Sequence, residues 1–171
     1  MIQYPKDIQE TELLRAWIQK RVPNLDIGND SVCLGVWRDK KLAAVAAFYN
    51  YRKVDIELAF ASDNPRWATR QTIQWILAFP FLQLNTQRVT SMVLKSNKRC
   101  RKLLLGAGFM EEGKHPHSGP RLETMFSYGM IKMKYMERYG SDIRPAKAGV
   151  DVGDCPSSNS IYDPNLSVGQ A

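Results

Sequence analysis

Apolar positions early in the chain recur at three- and four-residue steps. Leu13, Leu14, Trp17, Ile18 and Val22 follow a capping Asp7, and this spacing predicts an amphipathic helix closed by Pro23. The period then shortens. Residues 32–37 read as a strand, Arg38 to Lys41 as a turn, and residues 42–51 as the longer partner of a hairpin. The run LAAVAAF is rich in small residues, which suits a central strand approached by a ligand or another backbone. Helix propensity alone fits that run equally well. Residues 54–61, VDIELAFA, alternate, with Asp55, Glu57 and Ala59 on one face and Ile56, Leu58 and Phe60 on the other.

Ser62-Asp63-Asn64-Pro65 reads as a helix start, with a capping side chain followed by proline at the first helical position. Ile73, Ile76, Leu77 and Phe81 hold the helical period, and Pro80 ends or kinks that helix. From Arg88 to Gly113 the pattern predicts strand, helix, strand. Val89 and Met92 to Leu94 form the first strand, and Ser96 or Asn97 caps the helix. Leu103, Leu104 and Ala107 face inward, Gly106 and Gly108 stop the helix, and Phe109 restarts an extended segment. A polar loop, KHPHSGPRLE, leads to a last strand over residues 124–133.

Residues 140–171 carry prolines, glycines and serines without periodicity. They are expected to form an extended or disordered tail behind a domain of residues 1–139. Ile161 and Tyr162 are among its few apolar anchors, so the tail is expected to associate with a partner or a second copy when ordered.

The length of 171 residues fits one domain, and 44% hydrophobic content is enough for a core. No run approaches the length of a membrane span. The start, MIQYPKDIQE, lacks the apolar core of a signal peptide. Cys33, Cys100 and Cys155 form neither a disulfide framework nor a zinc pattern, so reduced thiols in a cytoplasm are expected. His115 and His117 lack a third ligand in view, and no metal is expected.

The formal charge of +7 changes the picture further, because Lys95, Lys98, Arg99, Arg101 and Lys102 lie close together. Such a cluster is a solvated helix face, a grip on a phosphorylated cofactor, or a nucleic-acid contact. The tryptophans are scattered and suit core packing better than base stacking, which leaves nucleic acid the weakest of the three.

Asn97, Gly108-Phe109 and Glu112-Gly113 stand in a spacing that resembles the GNAT superfamily of acyl-CoA N-acyltransferases. The order of elements over about residues 7–135 resembles that family too. The resemblance implies an α/β (α+β) fold with a mixed, mostly antiparallel sheet flanked by helices. It also implies acetyl-CoA as co-substrate, an amine-bearing acceptor, and a V-shaped opening beside the helix that follows the third strand. In this chain Arg66, Thr69, Arg70, Asn97 and Cys100 would hold acetyl-CoA, and Glu57 would be the base. The glycines usual at that helix start are absent, and bulky Trp67 stands there. Leu104 occupies the place of the usual tyrosine acid, so Tyr128 is the stand-in. Those departures favour a second reading, a GNAT scaffold without catalysis that serves as a binding or structural protein, for instance in a phage, anchored by residues 141–171.

Overall fold

The alternating runs pair into one seven-stranded sheet in the order β1-β2-β3-β4-β5-β7-β6. The computed structural model describes residues 2–22 and 24–142. The strands are β1 (Ile2–Gln3), β2 (Val32–Arg38), β3 (Lys41–Tyr49), β4 (Asp55–Ser62), β5 (Arg88–Leu94), β6 (Met110–His115) and β7 (Met125–Ile131). The helices are α1 (Ile8–Gln19), α2 (Arg70–Ala78), α3 (Lys98–Ala107) and α4 (Lys132–Tyr139). Neighbouring strands are antiparallel except β4 and β5, which run parallel because the α2 crossover joins them. The expected mixed, mostly antiparallel sheet flanked by helices is therefore present. Of the expected tail, only the turn Gly140–Asp142 falls within the described residues; the anchors Ile161 and Tyr162 lie outside them.

Strand alternation separates two cores. Leu14 and Ile18 of α1 pack on Val45 and Ala47, with Ala59 and Ala61 alongside. On the opposite face Phe48, Ile56 and Leu58 meet Ile76 and Leu77 of α2, Leu104 of α3, and Tyr135 and Tyr139 of α4. The small residues of β3 are buried against both layers, so their run is a central strand, not a helix. Among the described residues no helix is long and apolar enough to cross a membrane.

Local chemistry explains most element ends. The Asp7 carboxylate accepts the Glu10 N–H at 2.8 Å and opens α1. Leu13, expected on the buried side, is exposed; Leu14 and Ile18 carry that face. Asn97 rather than Ser96 caps α3, accepting the Cys100 N–H at 3.0 Å. The helix runs through Gly106 and stops only at Gly108, where φ is +104°.

Two expectations fail for readable reasons. Asn64 and Pro65 start only a single 3-10 turn, Pro65–Trp67; Ala68 leaves helical geometry, and α2 begins at Arg70 with Thr69 as its cap. The predicted strand over 124–133 ends at Ile131, because Tyr135 and Tyr139, one helical turn apart, are both buried. Phe81 stacks on Tyr135 at 4.9 Å and Tyr139 lies 5.5 Å from it, so burial of three aromatic rings fixes α4. Pro80 does end α2, through a wide turn at Phe79–Gln83 tied down by the Thr86 hydroxyl, which donates to the Pro80 carbonyl at 2.8 Å.

At Gly108 a Cβ would lie 2.9 Å from Arg138 Cδ in backbone geometry that L-residues avoid. Gly108→Ala is expected to destabilise the domain by about 1–3 kcal/mol, read as a lower urea midpoint with an unchanged m-value.

Candidate functional site

β4 and β5 keep register for only three pairs, Asp55↔Arg88, Ile56↔Val89 and Glu57↔Thr90. Beyond Glu57, β4 stays bound to β3 as far as Ser62, and beyond Thr90, β5 stays bound to β7 as far as Leu94. The two strands therefore part inside the sheet. A cleft of about 1140 Å³ fills the gap, lined by residues 59–63 of one strand and its extension and by residues 91–94 of the other. Phe60 and Val93 belong to the core under α2 and α3, whereas Ala59 and Ala61 belong to the core under α1. Both sets line the cleft, so it reaches both faces of the sheet.

The mouth on the α2–α3–α4 side is cationic. Arg70 comes from α2, Arg99 and Lys102 from α3, and Arg138 from α4. Two of these side chains, Arg70 and Arg138, are held in place by their neighbours. Arg70 donates to the Arg138 carbonyl and lies 5.0 Å from the Tyr139 ring centroid. Arg138 donates to the Gly106 carbonyl, and the Tyr139 hydroxyl donates to the Ala107 carbonyl at 2.8 Å. The carbonyl oxygens of the end of α3 are thereby turned toward donors, and the cations face the cleft. Four positive groups at one opening make a site for a polyanion.

The mouth on the α1 side is built differently. Arg21, Val22 and Asn24, just past α1, form one wall, and Ser118, Gly119 and Pro120 form the other. Gly119 packs so closely that a Cβ there would lie 2.6 Å from Leu94 Cδ2 and 3.1 Å from Met125 Cγ. Asp63 is the lone carboxylate among the described lining residues, and Arg21 holds both of its oxygens at 2.9 and 2.6 Å. That bidentate contact keeps the Asp63 carboxyl below its usual range. Arg21 is itself laid over the Trp17 ring at 3.5 Å.

Three of the residues expected at a cofactor site, Arg70, Asn97 and Cys100, line the cleft. Arg66 and Thr69 do not. Arg66 sits exposed on the 3-10 turn, and the Thr69 hydroxyl is spent capping α2 at Thr72 N. Burial pushes the Cys100 thiol up to about 12, so it remains a protonated, inert thiol. Glu57 lies at the last registered pair, just short of the cleft wall, on the same face as Ala59. Its carboxylate takes Arg52 Nη1 at 3.3 Å. Tyr49, directly opposite, is raised to about 12 by burial first and then by the Glu57 charge and hydrogen bond.

Tyr128 departs from its expected place. It is wholly buried and absent from the cleft lining; its hydroxyl donates to Glu111 at 2.7 Å and accepts from Arg101 Nε at 2.9 Å. A hydroxyl held by two partners away from the cleft has no proton to deliver there. The basic cluster is also divided. Arg99 and Lys102 reach the cleft, while Arg101, on another side of α3, is paired with Glu111 and Tyr128. Arg138 and Tyr139 escaped sequence reasoning because α4 did; the four-residue step from Tyr135 to Tyr139 was their one signal.

Tyr128→Phe removes a buried hydroxyl shared by two charged partners. It is expected to lower stability by about 1.5–3 kcal/mol, measured by denaturant unfolding, and to leave ligand-induced thermal stabilisation unchanged.

No protein-family model matches the sequence, and no curated protein does either. Solved structures do match. A chimera of the Vibrio cholerae spermidine N-acetyltransferase SpeG with hSSAT aligns at TM-score 0.64 and 16% identity, covering 80% of this chain and 99% of that one. A point variant of the Vibrio cholerae enzyme aligns at TM-score 0.65 and 16% identity, over 81% of this chain and 98% of that one. The Vibrio cholerae spermidine/spermine N-acetyltransferase SpeG in complex with manganese ions aligns at 0.64 and 16%, over 81% and 95%. At such identities the likeness speaks for the fold alone, and the chain accordingly shares the fold of these N-acetyltransferases.

Proposed function

We propose that this chain transfers an acetyl group from acetyl-CoA to an amine. The observation that carries the reading is a cleft through the sheet whose one mouth gathers Arg70, Arg99, Lys102 and Arg138. Those residues suit the phosphates of acetyl-CoA, and the start of α2 adds the positive end of a helix dipole. The edges of β4 and β5, parted beyond Glu57 and Thr90, offer peptide groups along which an extended pantetheine arm can pair. Asn97 and Cys100 border the same passage.

The acceptor enters from the α1 side. Its nitrogen attacks the thioester carbonyl carbon, the C–N bond forms, and the C–S bond breaks with the electron pair leaving on sulfur. Glu57 lies one strand alternation, about 7 Å, from the wall at Ala59 and takes the ammonium proton through an intervening water. Arg52 and Tyr49 hold that carboxylate in place. Tyr128 is left out of the reaction, and solvent returns a proton to the departing thiolate. In this reading the protein acts in the cytoplasm, where acetyl-CoA is available. The spermidine acceptors of the solved neighbours support an amine as the substrate.

The second reading, a GNAT scaffold without catalysis, draws on the buried Leu104 and the sequestered Tyr128 hydroxyl. A phage component held by residues 141–171 would be one such case. Thermal shift separates the two readings. Acetyl-CoA at a hundred times its Kd is expected to stabilise the protein by about 2.7 kcal/mol. Arg70→Glu and Lys102→Glu are each expected to abolish most of the shift, whereas Arg66→Glu leaves it intact. Absence of any shift at millimolar acetyl-CoA favours the non-catalytic scaffold. With the shift present, Glu57→Gln is expected to lower kcat about 10²–10⁴-fold without changing the acetyl-CoA shift.

A further inference from the structure

The acceptor mouth carries almost no net charge, and that limits which amine it can take. We propose, on the transferase reading above, that the acceptor is an α-amine on an uncharged, apolar body, as at a peptide N-terminus, and that polyamines are poor substrates.

A polyamine brings several ammonium groups, and each needs a carboxylate to offset its lost hydration. Asp63 is the lone carboxylate among the described residues that line this passage, and it and the carboxylates of β4 already have arginines. Asp63 is bound at both oxygens by Arg21, Asp55 and Glu57 are bound by Arg52, and Glu112 is bound by Arg88. The remaining walls are neutral: Val22, Ala59, Ala61, Gly119, Pro120 and Met125. Behind them, across the sheet, stand the four cations of the other mouth, and the chain as a whole carries +7. A polycation entering this passage meets repulsion and, among the described lining residues, no carboxylate without an arginine.

The proton balance points the same way. An α-amine has a pKa near 7.7–8.0, against about 10.4 for a lysine-type amine. Near neutral pH roughly a tenth of the α-amine is already the free base, several hundred times the fraction of the alkyl amine. Glu57 is a shared base, bound by Arg52 and Tyr49 and set back from the wall, so it suits a nitrogen that gives up its proton readily. The packing of Gly119 on Leu94 and Met125 gives that wall an apolar side, which suits an apolar side chain beside the amine.

The test is acetyl transfer from acetyl-CoA, near neutral pH, to three probes: Ala-Val amide, spermidine and Nα-acetyl-lysine amide. The acetyl-CoA thermal shift is recorded on the same preparation. The expected kcat/KM for Ala-Val amide exceeds that for either other probe by about tenfold or more. Equal or better use of spermidine overturns the proposal. A normal thermal shift with no probe acetylated above thioester hydrolysis overturns it too, while leaving acetyl-CoA binding standing. Loss of the shift itself sinks the transferase reading and the proposal with it.

Two substitutions move the charge in opposite directions. Arg21→Met strips Asp63 of its partner and is expected to raise the spermidine to Ala-Val amide ratio of kcat/KM by about tenfold. Asp63→Asn leaves Arg21 as a bare cation and is expected to lower that ratio. If the ratio is the same in both folded variants as in the parent, the charge argument is wrong.

Discussion

Everything about the site depends on how little β4 and β5 share. A parallel pair in mid-sheet would normally zip along its whole length, since each unpaired edge leaves peptide groups without partners. Here each strand has a stronger commitment on its other side. β4 holds β3 over six registered pairs and β5 holds β7 over seven, against three between β4 and β5 themselves. Sheet twist carries the two antiparallel halves apart, and the passage between them is the geometric remainder. The helices then give that passage its chemistry, with cations from α2, α3 and α4 on one side and a compensated pair, Arg21 and Asp63, on the other.

Charge that looks uniform along the sequence is thus sorted by geometry. Five basic residues between Lys95 and Lys102 read as one patch, but the turn of a helix sends Arg101 to Tyr128 and Glu111 while Arg99 and Lys102 reach the cleft. A second contribution arrives from elsewhere in the chain, because Arg70 and Arg138 stand beside those two only after folding. Counting charges along the sequence finds the cation excess but not its division.

The elements with strong local chemistry were legible. Asp7 before an apolar period, Asn97 before a helix and Gly108 after it each carry their own signal, and the alternation of residues 54–61 placed both faces of β4 correctly. Tertiary contacts decided the rest. Asn64-Pro65 has the grammar of a helix start, yet burial of Trp67 against Phe60, at 5.6 Å, breaks the chain out of helical geometry at Ala68. The alternation after Met125 hid a helix whose reason lies in Phe81, far back in the sequence. Asn97 was assigned from spacing that resembles a family and lines the cleft, and Glu57, assigned from its strand, stands just short of the wall. Arg66, Thr69 and Tyr128 were assigned by the same route, but their side chains lie off the cleft: one is exposed on a turn, one spent on a cap and one locked between two charged groups.

The placing of α4 also has a kinetic side. Its contacts to α2 span more than sixty residues, from Arg70 and Gln74 to Arg138 and Tyr139. Contacts of such sequence separation carry a large loop-closure cost and form late. The cationic mouth is therefore not assembled when its first arginine is synthesised, nor when α3 folds. It comes into being when α4, the last of the described helices, docks, so a nascent chain reaches its seven described strands before it reaches a complete anion site.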